Sequence, residues 1–507
     1  MDYSIVDLYT AGLSHVLHWN TLYMLLLGVV SGVIIGAMPG LSATMAVAVM
    51  TPLTYNMDTG PSYGLLMGVF CGAVYGGSIT AVVANIPGTP AAIMTMLDGH
   101  PMAMKGKAGL AIGVATIASV IGGLFSVIIL SITAFPLAKA ALAFSAQEYF
   151  GVALIGLAVI AIISEGSIVR GLISGIIGLL LAAIGSDPMT GALRFTFGSA
   201  YLLDGLEMVP VLIGFFGLVS CFEMSEKTAE EITVIKEIGK VFPTWNEFKR
   251  LLPTIARGSV IGTIIGAIPA AGGTIAAIVA YGTEKRIAKN PEDYGKGEMR
   301  GIAAPESANN AVTGGAMIPM LALGVPGDAA TAILLGALTI KGLTAGPLLF
   351  TNHMDVVSSI FILLAMSNIL FFFVGILGGA KVISRIITVP REYIVPLILM
   401  FCIVGAFASR SATFDIWSLL VIGLIGYIFS KVNLPASPAV LGFVLGDLFE
   451  TGFRRGMMLS HGNFLDFFAR PISGVCIAVS IVIVFLPYIA KLVGGFLAKK
   501  NKSDASW

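Results

Sequence analysis

The residues able to do chemistry in this chain sit where long apolar runs are interrupted. The most polar interruption is Ala304-Pro305-Glu306-Ser307-Ala308-Asn309-Asn310-Ala311. Glu306, Asn309 and Asn310 fall at i, i+3, i+4 spacing, so on a helix they share one face. An acid and two amides on one face can line a cation or substrate path. Alternatively, Glu306 caps the start of the following helix, where the dipole favours negative charge. Asn has no packing advantage in a membrane helix, so Asn309 and Asn310 read as functional.

Two further interruptions come in pairs. Gly32-Val33-Ile34-Ile35-Gly36-Ala37-Met38-Pro39-Gly40 is nearly repeated 230 positions later by Gly262-Thr263-Ile264-Ile265-Gly266-Ala267-Ile268-Pro269-Ala270. Pro removes a backbone donor and Gly accepts unusual conformations, so each run predicts a broken helix that resumes over 42–49 or 274–279. Downstream of each break lie a Gly-Gly pair, an apolar run and a Pro-Gly turn. The first set is Gly76-Gly77, then Asn85-Ile86-Pro87-Gly88-Thr89-Pro90; the second is Gly314-Gly315, then Gly324-Val325-Pro326-Gly327-Asp328. A turn between short apolar arms is the pattern of a re-entrant hairpin, whose tip offers free backbone groups. Helix N-termini at such tips suit a carboxylate. Carbonyl and side-chain oxygens suit Na⁺.

The candidate substrate residues are therefore Gly40, Ser42, Asn85, Pro87, Gly88, Thr89, Pro90, Gly272, Gly273, Thr274, Asn309, Asn310, Pro326 and Gly327. The candidates for cation coupling are Asn85, Glu306, Ser307, Asn310, Asp328 and Thr331. Two bland readings stand beside these. Gly and Pro also serve close helix packing and kinks, although recurrence in pairs favours a site. For Asp328 the better-attested use is to cap a helix beginning at Ala329.

Of the 507 residues, 57% are hydrophobic and 11% charged, with mean hydropathy +0.94. Soluble domains carry roughly 25% charge, so the chain reads as an all-α polytopic membrane protein. Its apolar runs exceed the roughly 10-residue segments of an outer-membrane barrel. About a dozen membrane segments are expected, several shorter than the ~20 residues of a full span. The charged interval from Glu223 to Arg250 predicts a boundary. It divides the chain into a first transmembrane repeat (1–221), a linker (222–251), a second repeat (252–498) and a tail (499–507). Ile232, Ile235 and Ile238 suggest an interfacial helix within the linker.

No Lys or Arg precedes Lys105, whereas Lys285, Arg286, Lys289, Lys296 and Arg300 cluster. The positive-inside rule puts that loop and the tail, with Lys499, Lys500 and Lys502, in the cytoplasm. Asp98-Gly99-His100-Pro101-Met102 reads as a turn shaping a cytoplasmic connection. The four cysteines are isolated and lack metal-site spacing. The start Met1-Asp2-Tyr3 lacks a cationic n-region, so no cleaved signal peptide is expected. A P-loop is absent, against a self-contained ATP-driven pump. A net charge of +1 with no basic patch gives no reason to expect nucleic acid.

The chain resembles the large membrane subunit of tripartite tricarboxylate transporters, the TctA-type permeases. The likeness rests on Tyr75-Gly76-Gly77-Ser78, Pro87-Gly88-Thr89-Pro90-Ala91, Asp98-Gly99-His100-Pro101-Met102-Ala103 and Lys105-Gly106-Lys107-Ala108-Gly109-Leu110. The strongest block runs from Tyr281-Gly282-Thr283-Glu284-Lys285-Arg286 through Gly295-Lys296-Gly297 to Asn310. Gly346-Pro347, Arg454-Arg455 and Ser460-His461-Gly462-Asn463 are similar too. The resemblance implies two inverted, pseudo-symmetric repeats with elevator-like movement. It also implies a bacterial inner-membrane secondary transporter driven by Na⁺ or H⁺, with no cofactor beyond Na⁺ as coupling ion. Expected partners are a small TctB-type membrane subunit, a periplasmic TctC-type solute-binding protein, an organic carboxylate and the lipid bilayer. Two departures matter: Ala270 stands where relatives carry Gly, and Asp328 where a small Ser is common. A negative charge there opposes a highly charged tricarboxylate. The rival readings are an ion or small-solute channel, for which no ring of like residues is seen, and a membrane enzyme, for which no catalytic constellation is seen.

Overall fold

The computed structural model describes residues 5–163, 167–226, 235, 239–269, 271–376 and 389–485. Among them the only strands are Gly185–Ser186 and Leu193–Arg194, an antiparallel pair. Everything else regular is helix. In chain order these are α1 (Ile5–Val16), α2 (Trp19–Ala37), α3 (Ala43–Met50), α4 (Thr59–Ala84), α5 (Ala92–Met102), α6 (Ala108–Ala141), α7 (Ala146–Ile163) and α8 (Ile168–Ala182). They continue as α9 (Met208–Ile213), α10 (Val219–Glu226), α11 (Trp245–Ala267), α12 (Gly272–Ile287), α13 (Met299–Leu323), α14 (Ala329–Ile340), α15 (Pro347–Asn352) and α16 (Met354–Val374). Three more long helices follow, Arg391–Arg410, Thr413–Lys431 and Ala436–Leu459.

Among the described residues, seven helical stretches are long and apolar enough to cross a membrane, and five shorter apolar helices accompany them. This is a multi-pass membrane protein. α11 and α13 are absent from both groups because they carry polar residues, yet α13 is buried along nearly its whole length.

The chain forms two compact units. One comprises Met1–Leu142 and Glu207–Ile428, the other Ala143–Leu206 and Phe429–Trp507. Each takes segments from both sides of the charged linker, so compactness does not follow the sequence halves. Of that linker, residues 227–234 and 236–238 lie outside the described residues, and the expected interfacial helix lies largely there. Ala270 and the basic tail also lie outside them.

Small residues set the packing of the first unit. α2 lies against α4 through Gly28, Gly32 and Gly36, where an added methyl would come within 2.3, 2.5 and 2.2 Å of the Leu65, Val69 and Ala73 carbonyl oxygens. α11 lies against α13 through Gly258, Gly262 and Gly266. There Ser307 Oγ lies 2.1 Å from such a methyl on Gly258, and the Ala308 and Val312 oxygens 2.1 and 2.9 Å from those on Gly262 and Gly266. With so little side chain between backbones, dispersion contacts replace a hydrophobic driving force that lipid does not supply. The glycines repeat with one offset of 230 residues, as the breaks do.

The second unit is held by its own devices. Gly178 of α8 meets the Ala439 backbone, and Gly442 meets Gly175, so α8 and Ala436–Leu459 also approach closely. Phe150, Phe467 and Ile477 form a small apolar cluster. Arg454 bonds Asp187 and Glu450, while Arg194 bonds Glu450 at 2.8 Å. The Arg454 guanidinium holds the Asp187 carboxyl well below the usual carboxylate range.

Candidate functional site

Both predicted helix breaks are present, and they have the same geometry. α2 ends at Met38 (φ −79°, ψ 122°), whose N–H donates to the Ile35 carbonyl. α11 ends at Ile268 (φ −84°, ψ 118°), whose N–H donates to Ile265. Gly40 then turns through φ +88° and Gly272 through φ +64°, conformations that favour glycine. Ser42 caps α3 by accepting the Met45 N–H at 3.1 Å. Arg257 of α11 is bonded to Glu284 of α12 at 2.7 Å, and Thr254 adds a bond to the same carboxylate at 2.8 Å. These contacts hold the two parts of the second broken helix together.

The turns follow continuous helices of 26 and 25 residues, α4 and α13, and lead into shorter ones of 11 and 12, α5 and α14. The Gly-Gly pairs do not shorten the first arms, because those glycines serve close packing. Gly76 meets the Val33 carbonyl and Gly315 that of Thr263. α4 terminates because Asn85 adopts the left-handed conformation (φ 56°, ψ 32°), and α13 because Gly324 does (φ 73°, ψ 19°). Asn85 is exposed, and its conformation accounts for an Asn at that position. Pro90 is exposed as well, while Pro326 is buried.

Each tip is pressed onto the broken helix of its own half. A methyl on Gly88 would lie 2.4 Å from Gly36 O and 2.6 Å from Gly77 Cα; one on Gly327 would lie 2.7 Å from Gly266 O and 2.5 Å from Ala316 Cα. The helices leaving the tips cross over instead. α14 packs on α3, and α5 packs on α12. At the start of α12, a methyl on Gly273 would lie 3.9 Å from Ala91 Cβ, and one on Gly272 would lie 3.9 Å from Asp328 Cβ. The N-termini of α5, α12 and α14 therefore meet around Gly272 and Gly273, near Thr274. Three helix starts thus bring partial positive charge to one place, although Asp328 already caps α14 and the Ala92, Ile93 and Met94 N–H groups of α5 donate to the Thr89, Pro90 and Ala91 carbonyls.

The polar residues of α13 divide among different neighbours. Asn309 donates to the Val74 carbonyl at 3.2 Å and lies against Gly273. Asn310 is fully buried, and neither its Oδ1 nor its Nδ2 has a protein partner. Thr89 Oγ1, at the first tip, is likewise buried and unpartnered. Glu306 does not cap a helix start, since it sits within α13 and is bonded by Thr95 and Ser119. Ser307 donates back to the Ala303 carbonyl at 2.8 Å and packs against Gly258, so its hydroxyl is already engaged. Asp328 and Thr331 form a reciprocal capping box at the start of α14, each bond 2.8 Å long.

Several engaged residues carried no sequence signal. Thr95 and Ser119 lie in apolar runs without any motif. Asn368 of α16, whose Oδ1 is buried and unpartnered, lies beside Cys71. Asp98 belongs to the last turns of α5 rather than to a free loop. It is fully buried and accepts the N–H groups of Gly295, Gly297 and Glu298, each at 2.9 Å, together with the Tyr281 hydroxyl. The expected connection is thus a clasp between α5 and the loop before α13. In that loop, burial pushes the Tyr294 phenol up to about 12.

Paired broken helices and Pro-Gly turns, with buried unpaired polar atoms on Thr89 and Asn310, lie within a multi-pass helical bundle, and the class is that of a polytopic membrane protein. The family model of the tripartite tricarboxylate transporter TctA family matches residues 22–441, and the chain belongs to that family. It is similar to an uncharacterized 52.8 kDa protein in the TAR-I ttuC' 3' region of Agrobacterium vitis. The two are 34% identical over 466 residues, 91% of this chain and 92% of the relative. A protein in the TAR-II ttuC' 3' region of the same organism is 32% identical over 232 residues, 46% of this chain and 95% of that relative. No solved structure matches the chain significantly.

Proposed function

We propose that the chain is the large subunit of a secondary active transporter that imports an organic carboxylate. It would work in a bacterial inner membrane, driven by a Na⁺ or H⁺ gradient. The carboxylate would be delivered by a periplasmic TctC-type binding protein, and a TctB-type subunit would complete the membrane part. The observation that carries this reading is the meeting of three helix N-termini around Gly272 and Gly273. Such a junction suits a carboxylate better than a cation or a neutral solute. Asn310 and Thr89 supply unpaired buried polar atoms on the adjoining α13 and first tip, and a bound ligand or water would satisfy them.

Asp328 brings a carboxyl group to the same junction, which argues for a substrate of modest negative charge over a fully ionised tricarboxylate. The matched glycine contacts of α2–α4 and α11–α13, with one offset, support two repeats, whose inverted topology is carried by the family likeness. Elevator-like movement enters from the family likeness alone.

The test is uptake in proteoliposomes holding the chain with its two partners, with citrate, tartrate, malate and succinate as labelled probes. Na⁺ and proton gradients are imposed separately. Saturable accumulation above the external concentration is expected, in contrast to the conductance of a channel. Thr89→Ala and Asn310→Ala, which remove the buried unpaired polar atoms, are expected to abolish uptake in correctly inserted protein. Wild-type uptake by both would sink the site assignment.

A further inference from the structure

Two buried carboxyl groups on neighbouring helices of the first unit have partners of different kinds. Asp98 Oδ1 accepts three backbone N–H groups, which can only donate, while its Oδ2 accepts the Tyr281 hydroxyl. Glu306 is 1% exposed; Thr95 Oγ1 lies 2.5 Å from its Oε1 and Ser119 Oγ lies 2.8 Å from its Oε2. A hydroxyl can donate or accept. Both therefore donate to a carboxylate, and one reverses to accept when the carboxyl carries a proton. One pocket satisfies both states without moving the backbone.

An ionised carboxylate buried with no cation beside it is costly, so a proton or a cation must accompany it. No ion pair to Glu306 exists among the described residues. The other ionisable groups on the helices packed around this part of α13 are engaged elsewhere. Tyr75 pairs with Thr116, Tyr281 with Asp98, Arg257 with Glu284, and His100 with the Val82 carbonyl. The hydroxyl–carboxyl distances at Glu306 are those of hydrogen bonds.

Thr95 lies on the helix that leaves the first tip, and Glu306 lies one turn before Asn310 on the helix that leads to the second. We propose that Glu306 is the proton-carrying group of this transporter. It takes a proton from the outer aqueous side and releases it to the inner side with each inward passage of substrate, and Thr95 and Ser119 pass its state to the first hairpin. The proposal rests on the transport reading and adds the identity of the coupling ion and its residue.

The experiment compares wild type and Glu306→Gln, reconstituted as the full chain with its partners, for counterflow and for accumulation driven by a pH gradient or a Na⁺ gradient. In the wild type, accumulation is expected to rise as external pH falls and to ignore the Na⁺ gradient. In Glu306→Gln, the ratio of pH-driven accumulation to counterflow is expected to fall at least tenfold. A Na⁺ requirement in the wild type, or an unchanged ratio in the variant, overturns the proton assignment but leaves carboxylate transport standing. Absence of wild-type counterflow with all four acids overturns the transport reading, and the proton site with it. Should Glu306→Gln fail to insert, Ser119→Ala is measured by difference infrared spectroscopy of the purified full chain. The pH at which the buried carboxylic C=O band disappears should shift relative to wild type, and an unshifted band overturns the proposal.

Discussion

Substituting Gly88 by alanine tests whether the first tip must touch the first broken helix. The new methyl would lie 2.4 Å from Gly36 O, 2.6 Å from Gly77 Cα and 2.7 Å from Thr80 Oγ1. Ordinary contacts begin near 3.4 Å, so the tip must withdraw by about an ångström, because two of the three neighbours are backbone and cannot rotate away. Overpacking of this kind costs about 1–3 kcal/mol, and the backbone contacts place Gly88→Ala toward the upper end. A free-energy loss of about 3 kcal/mol corresponds to roughly 100-fold in a binding or rate constant, similar to the effect of displacing a reacting group by an ångström. The assay is initial uptake in proteoliposomes, with thermal unfolding of the same preparation as the measure of folding. Gly88→Ala and Gly327→Ala should each lose 30-fold or more. Gly40→Ala meets no atom within 4 Å; it carries only the left-handed backbone cost of about 1–2 kcal/mol, and should lose about 5- to 30-fold. Uptake by Gly88→Ala within threefold of wild type would refute the argument that the tip works by contact.

Other outcomes follow from buried or capped carboxylates outside that contact. Asp98→Ala removes the acceptor of three loop N–H groups, each costing roughly 1–3 kcal/mol when left unpaired. Limited trypsin digestion should then cut near Lys289 and Lys296 at least tenfold faster, while Asp98→Asn, which keeps an acceptor oxygen, should resist like wild type. Equal resistance of Asp98→Ala would remove the clasp from the account. Thr244→Ala opens the capping box of α11 and should destabilise by about 1 kcal/mol at neutral pH. The Thr244 N–H and hydroxyl hold the Glu247 carboxyl below its usual range. The stability this adds is complete at neutral pH and is lost as pH falls through that lowered value. Thermal midpoints of wild type and Glu247→Gln should therefore converge in acid, and a constant gap would show that ionised Glu247 contributes nothing.

The parts of the fold legible in the sequence are those written in local chemistry. Pro39 and Pro269 cannot continue a helix, and α2 and α11 stop just before them. Asn85 and Gly324 stand where the chain needs positive φ, and two long helices end there. Asp328 illustrates a choice left open by local chemistry, since capping and coupling both suit an Asp after Pro-Gly; the geometry adds the hydrogen bonds of a cap to Thr331. The Ser307 hydroxyl turns back onto its own helix, donating to the Ala303 carbonyl, and packs against Gly258.

By itself, the sequence determined that the chain lives in a membrane, that two helices break at matching points, and that each break has a Pro-Gly turn downstream. Steric limits on Pro, the freedom of Gly and the cost of charge in hydrocarbon act within a few residues, and they need no knowledge of neighbours. Only the tertiary structure decided which elements meet. It brought the starts of α5, α12 and α14 together at Gly272 and Gly273, and left Asn310 without a partner. It also gave Glu306 two hydroxyls, from Thr95 and Ser119, 211 and 187 residues away. Such pairings depend on how small residues let helices approach across long separations, and spacing along the chain does not record them.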